Sequence, residues 1–129
     1  DLYRHRVLKR VQYHEWIQTQ EQQDKKYLEF LNNIKPYMNR VTIVKKNSVD
    51  AARDYQNGYF DYVYVDGCHN EKDVSLDIDT WYPKVADGGI LAGHDYPLYK
   101  GVKRAVDNFI SKTGLVLFSS NGDWCIIKK

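Results

Sequence analysis

Residues Phe60 to Tyr96 carry the clearest structural pattern in this chain and read FDYVYVDGCHNEKDVSLDIDTWYPKVADGGILAGHDY. Phe60 to Val65 is an aromatic and β-branched run without Pro or Gly, which predicts a short buried strand. From Glu71 onward the apolar residues repeat with helical spacing, and Asn70 is a suitable N-cap. Ile90 to Gly93 is a second apolar run and predicts the start of a second strand. The apolar positions assigned to the helix are Val74, Ile78, Trp81, Tyr82 and Val85.

A strand, a helix and a strand of these lengths form a right-handed βαβ crossover, in which the two strands are parallel. Their carboxyl ends therefore lie at the same edge of the sheet, which is where open α/β sheets bind ligands. Asp66 and His69 follow the first strand, and His94 and Asp95 follow the second. Neighbouring strands lie about 4.8 Å apart. If these two strands are neighbours, the four side chains are predicted to converge.

Composition limits the classes of protein that this chain can represent. Its 129 residues predict a single domain. The net charge of +2 is too small to indicate a nucleic-acid partner or an anionic membrane. No apolar run approaches the ~20 residues of a membrane span, and no signal-peptide core is present, so a cytoplasmic protein is expected. Cys68 and Cys125 have no metal-ligand spacing and are interpreted as free thiols in a reducing compartment.

The rest of the chain continues the alternation of helices and strands. Residues 1–18 form an uncertain segment that fits a short helix or a ragged strand, with Val11 to Trp16 as a candidate edge strand. Asn121-Gly122 between two apolar runs predicts a hairpin, so the last strand should be antiparallel to its partner. This order indicates a mostly parallel α/β sheet. The other predicted elements are helices at Thr19–Lys35, Val49–Tyr55 and Gly101–Ser111 and strands at Val41–Val44, Leu115–Phe118 and Trp124–Ile127.

Six motifs follow one another in a distinctive order: Asn39–Val44, Asn47–Ala52, Tyr62–His69, Trp81–Lys84, Gly88–Tyr96 and Gly101–Val106. In their order and spacing these motifs resemble class I S-adenosylmethionine-dependent methyltransferases, in particular the small-molecule and sugar O-methyltransferases. The resemblance covers roughly residues 19–129. It implies a Rossmann-like, mostly parallel sheet with helices on both faces and an antiparallel C-terminal strand.

One part of the family pattern is missing from this sequence. The family's first strand and its glycine-rich turn are not recognisable, and the sequence contains no Gly-x-Gly. Three explanations remain open. The natural protein continues before Asp1, a partner chain completes the sheet, or the chain is a rearranged relative of the family.

The resemblance also implies S-adenosylmethionine as the cofactor and nominates residues that would bind it. Asp66, Gly67 and His69 follow the strand that looks like the family's fourth. Asn47 and Ser48 match the end of the third strand, although both residues would equally suit a plain helix cap. Glu15 would hold the cofactor ribose if Val11 to His14 is the second strand.

Catalytic and metal-binding candidates come from the same strand ends. His69 is the preferred general base, because the ordinary pKa of histidine lies close to neutrality. Asp66 and His94 are the other catalytic candidates. By resemblance to the catechol-type enzymes, Asp66, Asp95 and His94 would bind Mg²⁺ or another divalent cation, although an imidazole suits a softer ion better. The alternatives are that Asp66 and Asp95 only cap turns and that the His69 ring hydrogen-bonds a loop carbonyl.

The resemblance implies an enzyme that methylates a hydroxyl or an amine of a small molecule or sugar. Two alternatives stay open: a non-catalytic methyltransferase-like interaction module, and a hydroxylase-like relative on the same fold. A homo-oligomer or a partner chain that completes the sheet is also expected. Trp81 and Trp124 are predicted to be core residues and not part of a ligand platform.

Overall fold

Four strands form a mixed sheet in the order β1-β2-β4-β3 in the computed structural model, which describes residues 19–129. The strands are β1 (Phe60–Val65), β2 (Val85–Gly93), β3 (Leu117–Ser120) and β4 (Asp123–Ile127). The helices are α1 (Gln20–Ile34), α2 (Ser48–Ala52), α3 (Glu71–Trp81) and α4 (Lys100–Thr113), with short 3₁₀ turns at Lys35–Tyr37 and Tyr82–Lys84.

The helix boundaries follow local signals in the sequence. Thr19 and Gln22 form a capping box at the start of α1, in which each side chain accepts a hydrogen bond from the backbone of the other. Asn70 caps α3 by accepting a hydrogen bond from the backbone of Asp73 at 3.0 Å. Gly114 ends α4 in the left-handed conformation, with φ of 67°.

The β1-α3-β2 unit is the predicted parallel crossover. β1 and β2 are neighbours in parallel register, in which Val63 pairs with Leu91 and Val65 with Gly93. Both strands therefore end at the same level of one sheet edge. The predicted α/β, Rossmann-like class is confirmed by this unit.

The C-terminal hairpin is also confirmed. β4 is antiparallel to both β2 and β3. Asn121 and Gly122 both have positive φ, 54° and 90°, which is the backbone that a tight two-residue hairpin turn requires. Of the three strand pairs among residues 19–129, one is parallel and two are antiparallel.

The core lies between the sheet and the α3–α4 pair. The alternate strand residues that point toward these helices are almost completely buried, whereas Tyr62 on the opposite face of β1 is 54% exposed. Trp81 and Trp124 are 6% and 2% exposed, so their predicted place in the core is confirmed. The main core residues are Val63, Val65, Leu91, Trp124 and Ile126 from the strands and Val74, Ile78, Val102, Val106 and Phe109 from the helices.

Three predictions about elements are wrong. Val41–Val44 forms no strand within the described part of the chain, because a strand needs a hydrogen-bonded neighbour and a cavity separates this segment from β1. The short helix after it spans Ser48–Ala52 and not Val49–Tyr55. Val85 belongs to β2 and not to the helix, because α3 gives way to the 3₁₀ turn containing Pro83, and β2 therefore starts well before Ile90.

Two further findings concern membrane spans and the cysteines. Among the described residues, no helix has both the length and the apolar character that a bilayer span requires. Cys68 and Cys125 are free cysteines, as predicted.

Candidate active site

The ends of β1 and β2 carry the polar side chains from which the candidate site is built. Val65 and Gly93 are paired, and the backbone N–H of His94 donates to the carbonyl of Val65 at 3.2 Å. Asp66 and His94 therefore leave the sheet side by side. The predicted convergence of Asp66, His69, His94 and Asp95 rests on this pairing, and the structure brings these residues together.

Asp95 is the centre of the cluster. Its Oδ2 lies 2.5 Å from Nε2 of His69, and its Oδ1 lies 3.0 Å from Nδ1 of His94. The Asp95 side chain is only 13% exposed, so both contacts are largely shielded from water and correspondingly stronger than on an open surface. One carboxylate thus orients two imidazole rings.

His69 is held firmly below the surface. Its ring stacks on Tyr99, with centroids 4.1 Å apart and an interplanar angle of 11°. The backbone of the same loop packs against Gly101, where a Cβ would lie 2.8 Å from the nitrogen of Glu71. His69 is 7% exposed. Its position suits a residue that supports Asp95 better than one that meets a substrate directly.

His94 is the accessible imidazole of the pair. Its side chain is 37% exposed, against 8% for that of His69. Its Nδ1 faces Asp95, and its Nε2 lies on the side of the β3–β4 turn, near Gly122. Of the two histidines, His94 is therefore the one that a ligand can reach.

Asp66, His94 and Asp95 form a potential metal-binding group. One ligand atom from each residue lies within 4.8 Å of the others, and all three residues are half-buried. Two carboxylates suit Mg²⁺ or Mn²⁺, whereas the imidazole suits Fe²⁺ or Zn²⁺. The donor set fits a divalent cation and does not single out Mg²⁺.

The predicted cofactor-binding residues fall into two groups. Gly67 and His69 lie in the buried loop after β1, next to Asp66. Asn47 and Ser48 hydrogen-bond within the protein instead: Asn47 Oδ1 accepts from the backbone of Val49 at 3.0 Å, and Ser48 Oγ accepts from Trp81 Nε1 at 2.8 Å. Ser48 also lines a cavity of about 470 Å³ whose wall includes Asp66. Glu15 lies outside the described residues.

Tyr99 is a site residue that the sequence pattern did not reveal. Its backbone N–H donates to the carbonyl of Asp95 at 3.0 Å, so the chain turns back and places the Tyr99 ring against His69. No periodicity or motif marks this contact. The Asp95 backbone has φ of 69°, a left-handed conformation that was not anticipated, and Asp95 starts the turn that leads to Tyr99.

Tyr64 is a second unanticipated neighbour of the site. Its hydroxyl donates to Asp123 Oδ1 at 2.5 Å, which ties β1 to the start of β4. Burial raises the pKa of Tyr64, and the hydrogen bond and negative charge of Asp123 raise it further, with a smaller contribution from Asp66. The phenol therefore stays protonated at neutral pH and acts as a hydrogen-bond donor.

Comparison with known proteins identifies a family and a structural neighbour for this chain. The sequence profile of a family described as a methyltransferase domain matches residues 4–96, which is well over half of the chain. The chain therefore belongs to this methyltransferase-domain family. No curated protein matches the sequence.

A solved structure shows the same fold. The crystal structure of a Corynebacterium glutamicum protein, a structural genomics target, superposes with a TM-score of 0.64 at 15% sequence identity. The alignment covers 84% of this chain and 57% of the other. At this identity the match supports the fold alone, and the chain spans less than two thirds of the length of that protein.

Proposed function

We propose that this chain is part of an S-adenosylmethionine-dependent methyltransferase that acts on a hydroxyl or amine of a small molecule or sugar. Membership of the methyltransferase-domain family supports the reaction class. The observation that carries the proposal is the carboxylate–imidazole cluster around Asp95 at the carboxyl ends of β1 and β2, where ligands of open α/β sheets bind.

Methyl transfer to a hydroxyl requires a proton acceptor and close positioning of the substrate and the methyl group. When bound, S-adenosylmethionine supplies an activated methyl group, so the protein's task is to orient the acceptor and exclude water. A substrate hydroxyl that attacks a methyl group must lose its proton. His94 is the accessible acceptor for that proton, with Asp95 orienting its ring and buried His69 holding Asp95 from the other side.

The cofactor would lie over the end of β1. Asp66, Gly67 and His69 form the loop that would face it, and Asn47, Ser48 and Glu15 complete the predicted set. Asp66 belongs both to the acid–imidazole cluster and to the wall of the 470 Å³ cavity, so the two features adjoin. This arrangement fits a ligand that spans from the cavity to the cluster.

A metal-assisted version of the same reaction uses the same side chains. Asp66, His94 and Asp95 would hold a divalent cation, and a bound cation would acidify and orient the substrate hydroxyl. In that version His94 serves as a ligand, and the metal-free version leaves it as the proton acceptor. Removal of divalent cations with a chelator separates the two versions.

Calorimetric titration with S-adenosylmethionine tests the proposal. We expect the wild-type chain to bind the cofactor and Asp66→Asn to bind it at least about tenfold more weakly, since a lost charge-assisted hydrogen bond costs roughly 1.5–3 kcal/mol. Asp79→Asn is the matched control, because Asp79 is exposed on α3 away from the cluster. Absence of both binding heat and thermal shift at millimolar cofactor would favour the non-catalytic module instead.

Titration with Mn²⁺ tests the metal-assisted version. Electron paramagnetic resonance should show bound Mn²⁺ in the wild type and a marked loss in Asp95→Asn. Asparagine tolerates the left-handed backbone that Asp95 adopts, so this substitution changes the charge with little backbone strain. Equal Mn²⁺ binding by the two proteins would exclude Asp95 as a ligand.

A further inference from the structure

The face of the sheet that points away from α3 and α4 carries a groove of about 510 Å³, which we call the aromatic groove. Strand pairing sets side chains of this face in one row across the sheet, because directly paired residues project to the same side. The row is Tyr64, Ala92, Cys125 and Phe118. Two small side chains therefore form a floor between two aromatic walls.

The dimensions of the aromatic groove suit a small ligand with a flat ring. Neighbouring strands lie about 4.8 Å apart, so the backbones of Tyr64 and Phe118 are separated by roughly 14 Å. Tyr62 extends the wall at Tyr64, since the two rings stack with centroids 6.2 Å apart. Tyr62 and Phe118 are both exposed. The volume of about 510 Å³ lies within the range of ~300–1,000 Å³ that is usual for small-molecule sites.

One end of the aromatic groove is polar and negatively charged. Ser120, Asn121 and Asp123 line this end, and the Tyr64 hydroxyl donates to Oδ1 of Asp123 at 2.5 Å. An ionised carboxylate accepts several hydrogen bonds, so Asp123 can accept from a further donor. Asp66 is also near, because its charge contributes to the raised pKa of Tyr64.

No positive side chain offsets this charge in the part of the chain that the structure describes. Within that part, neither lysine nor arginine lines the aromatic groove, and Asp123 takes part in no salt bridge. A ligand anion would be repelled at this end. An ammonium group would instead form a charge-assisted hydrogen bond with Asp123 and would be attracted to the face of a neighbouring tyrosine ring.

We propose that the aromatic groove binds a small amine that carries an aromatic ring. The ring lies on Ala92 and Cys125 between the two aromatic walls, and the ammonium group meets Asp123. Offset or edge-to-face packing against Tyr64 and Phe118 adds to the burial of apolar surface. The proposal does not depend on the proposed function, because binding in the aromatic groove requires neither a cofactor nor methyl transfer.

Titration of the chain with phenethylamine, followed by heteronuclear NMR of the backbone amides, tests the proposal. We expect a Kd on the order of 1 mM, as for other ligands of this size, and shifts concentrated at Ala92, Phe118 and Cys125. Hydrocinnamate has the same ring but carries a carboxylate, and butylamine carries the ammonium group without a ring. Each should bind at least about tenfold more weakly, since each lacks one of the two interactions.

Two variants locate the ligand within the aromatic groove. Asp123→Asn removes the charge but keeps an acceptor for the Tyr64 hydroxyl, and it should weaken phenethylamine binding at least about tenfold. Asp79→Asn is the matched control, because Asp79 is exposed on α3, on the other side of the sheet. Cys125→Leu fills the floor and should weaken binding by a similar factor. Its control is Val116→Leu, because Val116 is exposed and lies outside the lining of the aromatic groove.

The reaction of Cys125 with iodoacetamide gives a second measurement that needs no variant. Cys125 is half-buried on the floor of the aromatic groove, whereas Cys68 is buried. Saturating phenethylamine should slow the alkylation of Cys125 several-fold and leave that of Cys68 unchanged. Mass spectrometry of the digested chain separates the two thiols.

Four results would overturn the proposal. Equal affinities for phenethylamine and hydrocinnamate would show that the charge at Asp123 does not select the ligand. Binding that is unchanged in both Asp123→Asn and Cys125→Leu would place the ligand elsewhere. Absence of amide shifts at millimolar phenethylamine would show that the aromatic groove does not take the amine. Binding that weakens as the protein concentration rises would identify a second copy of the chain as the occupant.

Discussion

Gly93→Ala is the substitution whose effect the structure defines most sharply. A Cβ at Gly93 would lie 2.5 Å from the carbonyl oxygen of Val65 and 2.7 Å from two ring carbons of Trp124. Real Cβ atoms essentially never approach other atoms within 3.0 Å. Neither neighbour can easily move, because Val65 is paired in β1 and Trp124 is 2% exposed. Strands β1 and β2 would have to separate at the point where His94 and Asp95 begin.

The expected loss of stability is about 3 kcal/mol, at the upper end of the range for overpacked cores. For a chain of this size that corresponds to a fall of roughly 12 °C in Tm. Urea denaturation followed by tryptophan fluorescence measures the free energy of unfolding directly. The same variant should weaken Mn²⁺ binding, because the displaced strand end carries two of the three candidate ligands.

Gly114→Ala is the control for a purely conformational effect. Gly114 has φ of 67°, and a Cβ there would have no heavy atom within 4 Å. Only the left-handed backbone is strained, so we expect a cost of about 1–2 kcal/mol. If Gly93→Ala proves no more destabilising than Gly114→Ala, the argument that close packing at the end of β2 excludes a side chain is refuted.

Two further predictions concern the hydrogen bonds of Tyr64 and Ser48. Tyr64→Phe should cost about 1 kcal/mol at neutral pH. Because burial and Asp123 raise the pKa of Tyr64 above its ordinary value of 10.0, the stabilisation is present below that pH and is lost as the pH rises above it. Urea titrations between about pH 9 and 12 should therefore show that the free energy of unfolding falls less steeply with pH in Tyr64→Phe than in the wild type. Equal slopes in the two proteins would contradict the hydrogen bond from Tyr64 to Asp123. Ser48→Ala leaves the indole N–H of Trp81 without its acceptor and should cost roughly 1–3 kcal/mol. Most of that loss of stability should disappear when Ser48→Ala is made in a Trp81→Phe background. If the loss persists there, the Ser48 hydroxyl does not stabilise the protein through its hydrogen bond to Trp81.

Local sequence patterns were sufficient to predict most of the helices and strands. The capping box at Thr19, the N-cap at Asn70 and the Asn121-Gly122 turn are encoded within a few residues, so each could be read before any tertiary contact was known. The parallel direction of β1 and β2 also followed, because an eleven-residue helix between two strands permits few connections. That the two strands are neighbours was shown by the structure.

The strand predicted at Val41–Val44 shows the limit of this reasoning. Its β-branched residues satisfy the local preference for a strand, but a strand exists only when another strand supplies its hydrogen-bond partners. Within residues 19–129 the segment instead lines a cavity of about 470 Å³ together with β1. A local pattern reports the conformation that a segment prefers and not whether its partner is in place.

The sequence was enough to predict which residues reach the candidate site: Asp66 and His69 after one strand, His94 and Asp95 after the next. The accessibility of these side chains depends on the tertiary structure. The stack on Tyr99 and the packing against Gly101 bury His69, while His94 stays accessible beside the β3–β4 turn. The positions of the strands along the chain follow from short-range periodicity, but exposure and ring orientation depend on residues distant in the chain, whose contacts form only when the helices and the hairpin pack together.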